Sequence, residues 1–203
     1  MKKSLYLSAL AAVFLFLGCQ EQKSVESQPT PAEAQKVAAI GEAAAGKLKQ
    51  TLVAELTAAM QSGGTGAAIE VCSNKALQLT ESIVDSSENV LAVKRTTFKY
   101  RNPQNAPDEW DAQALQVYEA AAQKGEALPP SYIQKIQREG ETTFRYYQPL
   151  LTAGLCLNCH GDPNMLTQEV SAQLAALYPD DKATGYKEGD FRGLIRVSVA
   201  LEE

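Results

Sequence analysis

The residues best suited to chemistry lie in one short stretch, CLNCHG, at residues 156–161. It contains the one histidine of the sequence and two of its four cysteines. Three chemistries use such a cluster: a dithiol redox pair, a zinc site, or a covalently held haem. The spacing Cys-x-x-Cys-His lets two thiols reach the vinyl groups on one porphyrin edge and puts the next residue under the iron. It therefore predicts one covalent haem c on Cys156 and Cys159, with His160 as an iron ligand.

The two rival interpretations fit the surrounding sequence less well. A thioredoxin-like dithiol needs a strand before the motif and a helix that begins inside it, whereas Pro149 and Gly154 precede the motif and GDPN follows it. A zinc site needs four ligands in a tetrahedral array. Cys159 and His160 are adjacent and hard to aim at one ion, and Cys72 is the remaining thiol outside the N-terminal segment.

The residues alone leave the second axial iron ligand open. With no second histidine in the sequence, bis-histidine ligation is excluded. A peroxidase, which needs a distal acid–base histidine, is also disfavoured, and we expect no enzymatic activity. Met165 follows His160 too closely to pass around the ring edge. Met60, Cys72 and an open site remain, and a lone cysteine on an apolar helix face is more typical of a core residue.

The N-terminal residues predict export and a lipid anchor. A pair of lysines and a short apolar run end in FLFLGC, and Gly18 before Cys19 resembles a bacterial lipobox, although phenylalanine stands where leucine is usual. We expect residues 1–18 to be a lipoprotein signal peptide and Cys19 to carry the lipid. An ordinary signal peptide or an uncleaved anchor with an incidental cysteine is the alternative. Gln20 favours outer-membrane over inner-membrane sorting, with the folded part in the periplasm.

Composition and charge narrow the classes of function. The 203 residues, 45% of them hydrophobic, suffice for one domain with a core. The formal net charge is −5 and becomes −7 once the two signal-peptide lysines leave. This acidic balance lacks the electrostatic footprint of a nucleic-acid-binding protein, so nucleic acid is excluded as a partner. Three cysteines remain beyond the lipid site, an odd number that cannot pair completely within the chain.

Local patterns predict an α+β domain over residues 37–203, behind a flexible polar tether at 19–36. Apolar periodicity predicts helices at 37–60 and 67–83, separated by SGGTG, and a third helix between Asp108 and Gly125. β-Branched and aromatic residues predict strands at 90–100, 142–151 and 191–201. Helices first and separated antiparallel-type strands afterwards are typical of α+β architecture.

Four stretches resemble a known family of secreted or membrane-tethered c-type haem proteins, a domain of unknown function with a PAS-like fold described in a cyanobacterial member. The resemblance covers nearly all of the chain after the tether. It is carried by IEVCSNKA at 69–76, RTTFKYRNPQNAPDEWD at 95–111, CLNCHG at 156–161 and YPDDKATGYKEGDFRGLIRVSV at 178–199.

The resemblance implies a PAS-like antiparallel sheet with long N-terminal helices, and a haem iron ligated by His160 and Cys72. A thiolate ligand stabilises ferric iron and lowers the reduction potential. Together with the fold, this implies a redox or small-gas sensor whose partner is a diatomic ligand such as NO or CO. The alternative is a periplasmic electron-transfer cytochrome with a redox partner protein. Arg101 and Asn102 could hold a haem propionate, although a role in fixing a loop is more typical.

Overall fold

The computed structural model describes residues 25–202, which form an antiparallel sheet with helices on both faces. The strands are β1 (Val25–Ser27), β2 (Val90–Thr96), β3 (Tyr132–Arg138), β4 (Glu141–Leu151) and β5 (Phe191–Val199). Their order across the sheet is β1-β3-β4-β5-β2, and every neighbouring pair is antiparallel. The predicted strands at 90–100, 142–151 and 191–201 correspond to β2, β4 and β5.

In the described part of the chain, the α-helices all lie between β1 and β5 in the sequence. They are α1 (Pro31–Glu70), α2 (Ala76–Asp85), α3 (Glu109–Lys124), α4 (Leu157–His160) and α5 (Gln168–Leu177), and a π-helical turn, Val71–Lys75, joins α1 to α2. The predicted α+β class, a PAS-like antiparallel sheet with long N-terminal helices, is confirmed. None of the helices in residues 25–202 has the length and apolar character needed to cross a membrane.

The central strands β4 and β5 show why both faces of the sheet are covered. Successive side chains of a strand point to opposite faces. Phe144, Tyr146 and Val197 belong to the core cluster under α1, whereas Tyr147 and Leu194 belong to the cluster under α3. The α1 helix lies very close to the sheet: a Cβ on Gly41 would lie 2.2 Å from the ring of Tyr146, so glycine is required there.

The predicted tether at 19–36 is wrong from Val25 onward, and residues 19–24 lie outside the described range. β1 pairs with β3, and α1 begins at Pro31 rather than at residue 37. Thr30 caps α1 and forms a capping box with Glu33. Proline at the first helical position and glutamate at the third are helix-start signals, which the polar composition of this segment had obscured.

The glycine-rich stretch SGGTG interrupts α1 between the two predicted helical segments. Gly63 and Gly64 have non-helical backbone angles inside the helix, with φ of +68° at Gly64. The other helix boundaries agree with expectation: Asp108 caps α3, and Gly125 closes it in the left-handed conformation. The kink separates the part of α1 that packs on the sheet from the part that leads to the π-helical turn.

Candidate functional site

The CLNCHG motif folds as a 3₁₀ turn, Gly154–Cys156, that continues into α4. Gly161 ends the helix and donates its N–H to the carbonyl of Leu157, at 3.0 Å. A Cβ at this position would lie 2.7 Å from the same carbonyl oxygen. The glycine after the histidine is therefore needed for the tight turn that ends α4.

The ring of His160 is fixed by its Nδ1 atom, which lies 2.6 Å from the carbonyl oxygen of Ala183. Because that oxygen can only accept, Nδ1 carries the proton, and Nε2 keeps its lone pair. Burial, together with the charges of Arg192 and Arg101, lowers the pKa of His160 to about 3. The imidazole is neutral near pH 7, which is the state in which Nε2 can bind a metal.

The loop that supplies Ala183 also holds the backbone of the motif. Gly185 donates to the carbonyl of Gly161 at 2.7 Å, and Tyr186 donates to that of His160 at 3.0 Å. The Tyr186 ring meets the imidazole edge-on, with 6.5 Å between the ring centres. The segment from 183 to 186 therefore fixes both the position and the tilt of His160.

Arg101 braces the same motif from the other side. Its Nη2 donates to the carbonyl of Cys159 at 2.6 Å, and its Nε donates to Asp181 at 2.9 Å. Asp181 in turn accepts from the N–H of Ala183 at 2.8 Å. A continuous set of contacts thus runs from Arg101 to His160. Asn102 caps the short turn Pro103–Asn105, the loop-fixing role that is typical of such a residue.

Cys72 lies in the π-helical turn Val71–Lys75, in which Ala76 donates to the carbonyl of Val71. Single π-turns are frequent at functional sites, because the extra residue re-aims a side chain. Cys72 is exposed to solvent, and it lines the wall of a cavity. Burial by the surrounding protein raises the pKa of its thiol, and the nearby Arg95 and Arg101 oppose that rise.

One cavity is lined by Cys72, Cys156, Cys159 and His160, although about eighty residues of sequence separate Cys72 from the other three. We call it the motif cavity. It contains about 880 Å³ of space free of protein atoms, part of it open to solvent. The rest of its wall is mostly apolar and comes from α1, the π-helical turn, α2 and α5; it includes Leu52, Leu56, Met60, Ile69, Ala76 and Leu174.

The geometry separates the candidate ligands. Met60 lies on the cavity wall, but Met165 is 82% exposed and outside it. Cys72, Cys156 and Cys159 are free thiols. Between residues 25 and 202 no three histidine, cysteine or carboxylate side chains are grouped closely enough to hold a metal ion. Cys19 lies outside the described residues.

Sequence reasoning missed three arginine and tyrosine side chains of this region. Arg95, Tyr178 and Arg192 are within the stretches that carry the family resemblance, but nothing in their spacing marks them as site residues. Arg95 and Tyr178 line the motif cavity, and Arg192 lies in a smaller cavity that also contains Cys72 and His160. These side chains come together through the pairing of β2 with β5 and the loop before β5, which local patterns do not reveal.

Comparisons with known proteins identify the family and the fold. The family model described as Tll0287-like matches residues 20–200. The crystal structure of the cyanobacterial heme-protein Tll0287 is similar in fold, with a TM-score of 0.58, 24% identity, and coverage of 84% of this chain and 96% of that one. A search of curated protein sequences gave no match. The resemblance inferred from the sequence is confirmed, and the chain belongs to the Tll0287-like family.

Proposed function

We propose that this chain binds one haem covalently through Cys156 and Cys159, with His160 and Cys72 as the axial ligands of the iron. The observation that carries the proposal is the meeting of these four side chains on one mostly apolar cavity. The haem-protein character of the structural relative supports it. When bound, haem would supply one-electron chemistry at its iron, and release of Cys72 would open a position for a small molecule.

The residues present fit such a group in three respects. The cavity wall is mostly apolar, which is typical of sites that hold an organic cofactor. Cys156 and Cys159 are unpaired thiols, the form needed to make thioethers with vinyl groups. His160 presents Nε2 with a free lone pair, because its Nδ1–H is held by Ala183.

We propose a sensory role, for redox state or a small gas such as NO or CO, because Cys72 lies on an irregular element. The π-helical turn that carries it connects α1 with α2, and α1 is kinked at Gly63 and Gly64 a short distance before it. Movement of Cys72 would therefore be passed to two helices that pack on the sheet. A signal of this kind needs a partner protein whose binding depends on the position of these helices.

A second candidate function, electron transfer between proteins, is supported by a different observation. Val53 and Leu155, on the wall of the motif cavity, are 51% and 38% exposed. An apolar rim at the mouth of a cofactor site suits brief docking of a redox partner. In this case Cys72 stays in place, and the helices do not move.

Ligand exchange separates the two candidates. Ferric and ferrous spectra of protein matured with a haem c assembly system are recorded with and without CO and NO. Sensing predicts new ferrous bands with CO or NO, together with altered protease sensitivity or hydrogen exchange at residues 71–75. Unchanged spectra, with fast reduction by periplasmic electron carriers, would instead favour the carrier.

We further propose export to the periplasm and lipid anchoring at Cys19, in the outer rather than the inner membrane. The lipobox-like FLFLGC supports this part. Labelling with a radioactive fatty acid tests it, since the label should enter the wild-type protein and be lost in Cys19→Ala. A labelled Cys19→Ala protein, or an unlabelled wild-type protein, would contradict the anchor.

A further inference from the structure

A second cavity adjoins the motif cavity and differs from it in chemistry. The two share the side chains of Cys72, Arg95, Arg101, His160 and Tyr178. The second cavity has about 450 Å³ of space and lacks Cys156, Cys159 and the leucines of α1. Its remaining wall is polar and consists of Thr97, Tyr100, Asn102, Asn105 and Arg192. We call it the arginine cavity.

The charges of this cavity are not balanced by the chain. Arg101 is paired with Asp181, at 2.9 Å. The ion pairs formed within residues 25–202 include neither Arg95 nor Arg192. The Nε of Arg95 is buried with no hydrogen-bond acceptor.

The hydrogen bonds of Arg192 leave its charge equally uncompensated. Its Nη1 donates to the carbonyl of Lys99 at 3.2 Å and to the Tyr186 hydroxyl at 3.4 Å, both uncharged acceptors. Burial lowers the pKa of Arg95 and that of Arg192, which shows that both guanidinium groups are held where charge is costly. Partly buried guanidinium groups without counter-ions call for an anionic ligand.

We propose that Arg95 and Arg192 form a carboxylate-binding site, occupied by the propionates of the haem; this inference rests on the proposed function. A haem carries its two propionates on the edge opposite the vinyl groups. If the vinyl edge meets Cys156 and Cys159 in the motif cavity, the propionate edge points away from those cysteines. The arginine cavity lacks them, adjoins the motif cavity through Cys72 and His160, and offers the planar donors that carboxylates bind best.

The two arginines act on different sets of proposed iron ligands. Arg95 acts electrostatically on both the Cys72 thiol and His160, whereas Arg192 acts on His160 and is not among the charges that act on Cys72. The two variants are therefore compared with each other. Replacement by methionine keeps the length of the side chain and removes its charge and donors. Arg138→Met is the matched control, because Arg138 is 72% exposed and pairs with its neighbour Glu139.

The readout is the resonance Raman spectrum of the holoprotein, in which the propionate bending band moves with the hydrogen bonds that the carboxylates accept. We expect this band to shift in Arg192→Met and Arg95→Met, to shift furthest in the double variant, and to stay in place in Arg138→Met. Arg192→Lys should give an intermediate shift, since it keeps the charge but loses the planar donors. A band unchanged in both single variants would overturn the proposal.

Two further outcomes also decide the matter. In a crystal structure of the wild-type holoprotein, propionate oxygens should lie within about 4 Å of the Arg95 and Arg192 nitrogens; propionates placed elsewhere would contradict the site even if the variants fail to fold. The other source of anions is solution: saturable spectral changes on adding sulfate, lost in Arg192→Met, would show a free-anion site and overturn the assignment to haem.

Failure of this inference can be told from failure of the proposed function. Protein that carries covalent haem, but with its propionates away from both arginines, contradicts the carboxylate site alone. Protein that matures without covalent haem contradicts the proposed function, and the carboxylate site falls with it.

Discussion

Two clusters of buried charge lie on the same sheet, and they differ in how their charges are satisfied. In the first, the fully buried Asp111 carboxylate accepts from Lys94 at 3.1 Å, Arg145 at 3.3 Å and Arg196 at 3.4 Å, and from the Tyr147 hydroxyl at 3.2 Å. Every charge there has an opposite within the chain. This Asp111 cluster holds α3 against the sheet.

In the second cluster, around the arginine cavity, Arg95 and Arg192 have no carboxylate partner within residues 25–202. Neighbouring residues of β2 contribute to both clusters: Lys94 reaches Asp111, and Arg95 points to the cavities. A cluster whose charges are paired stabilises the fold, whereas an unpaired cluster beside a cavity suits a charged ligand.

The largest effect is expected on the stability of the fold, when the Asp111 cluster is disrupted. In protein produced without a haem assembly system, Asp111→Ala should lower the free energy of unfolding by about 3–5 kcal/mol, because three partly buried cations lose a shared counter-ion. Arg95→Met should change it by less than about 1 kcal/mol, since that guanidinium has no partner to lose. Urea unfolding measures both, with the exposed Asp180→Ala as control. Equal losses in the two variants would remove the distinction between the clusters.

The next effect concerns Cys72 in the holoprotein. Cys72→Ala should shift the ferric Soret band and raise the reduction potential by on the order of 0.1 V, because an anionic ligand that stabilises ferric iron is lost. Met60→Leu, on the same cavity wall, is the matched control and should leave both unchanged. A spectrum altered by Met60→Leu and not by Cys72→Ala would assign the ligand to Met60.

A smaller effect is expected from Arg101, the one paired arginine of the arginine cavity. Arg101→Met should cost about 1.5–3 kcal/mol of stability, because hydrogen bonds from a charged donor to Cys159 and Asp181 are lost. It should also reduce the yield of covalent haem, since the motif loses a brace. Lys187→Met, in the same loop and exposed, is the control. Full stability and full haem yield would argue against the brace.

The smallest effect is a pH dependence in the Asp111 cluster. Burial opposes ionisation of Asp108, but hydrogen bonds from Arg145 and from the Asp111 N–H outweigh it and lower the pKa of Asp108. Because the folded-state pKa is below the unfolded one, Asp108 stabilises the fold at neutral pH, and this contribution is lost as the pH falls below about 4. The side chain is 43% exposed, so the contribution should be under about 1 kcal/mol. Unfolding at pH 3 and pH 6 should show a smaller difference in Asp108→Asn than in wild type.

The parts of the molecule that depend on local signals were predictable from the sequence. The CLNCHG motif, the caps of α3 and the alternation in β5 are encoded by neighbouring residues. β1 and β3 were missed because both are short and rich in polar residues, and pairing with other strands stabilises them. Local propensity cannot reveal such long-range partners.

The residues of the site also divide into those predictable from local sequence and those that depend on long-range packing. Its cysteines and histidine were predictable from residue type and spacing, and the family resemblance brought Cys72 to them. Arg95 and Arg192 were not predictable as site residues, because in the sequence Arg95 is one residue of a predicted strand and Arg192 lies at the start of another. Asp111 likewise reads as an ordinary acidic residue in the first turn of a helix. Only the packed sheet shows that the charges of one cluster are paired with carboxylates, whereas Arg95 and Arg192 of the other are not.

The most direct test of the central claim is the intact mass of the protein matured with a haem c assembly system, alongside a Cys156→Ala/Cys159→Ala variant. We predict that the wild-type protein gains the mass of one haem, that this mass is retained after denaturation and acid extraction, and that the double variant gains none. A wild-type protein that emerges with both thiols free would contradict it.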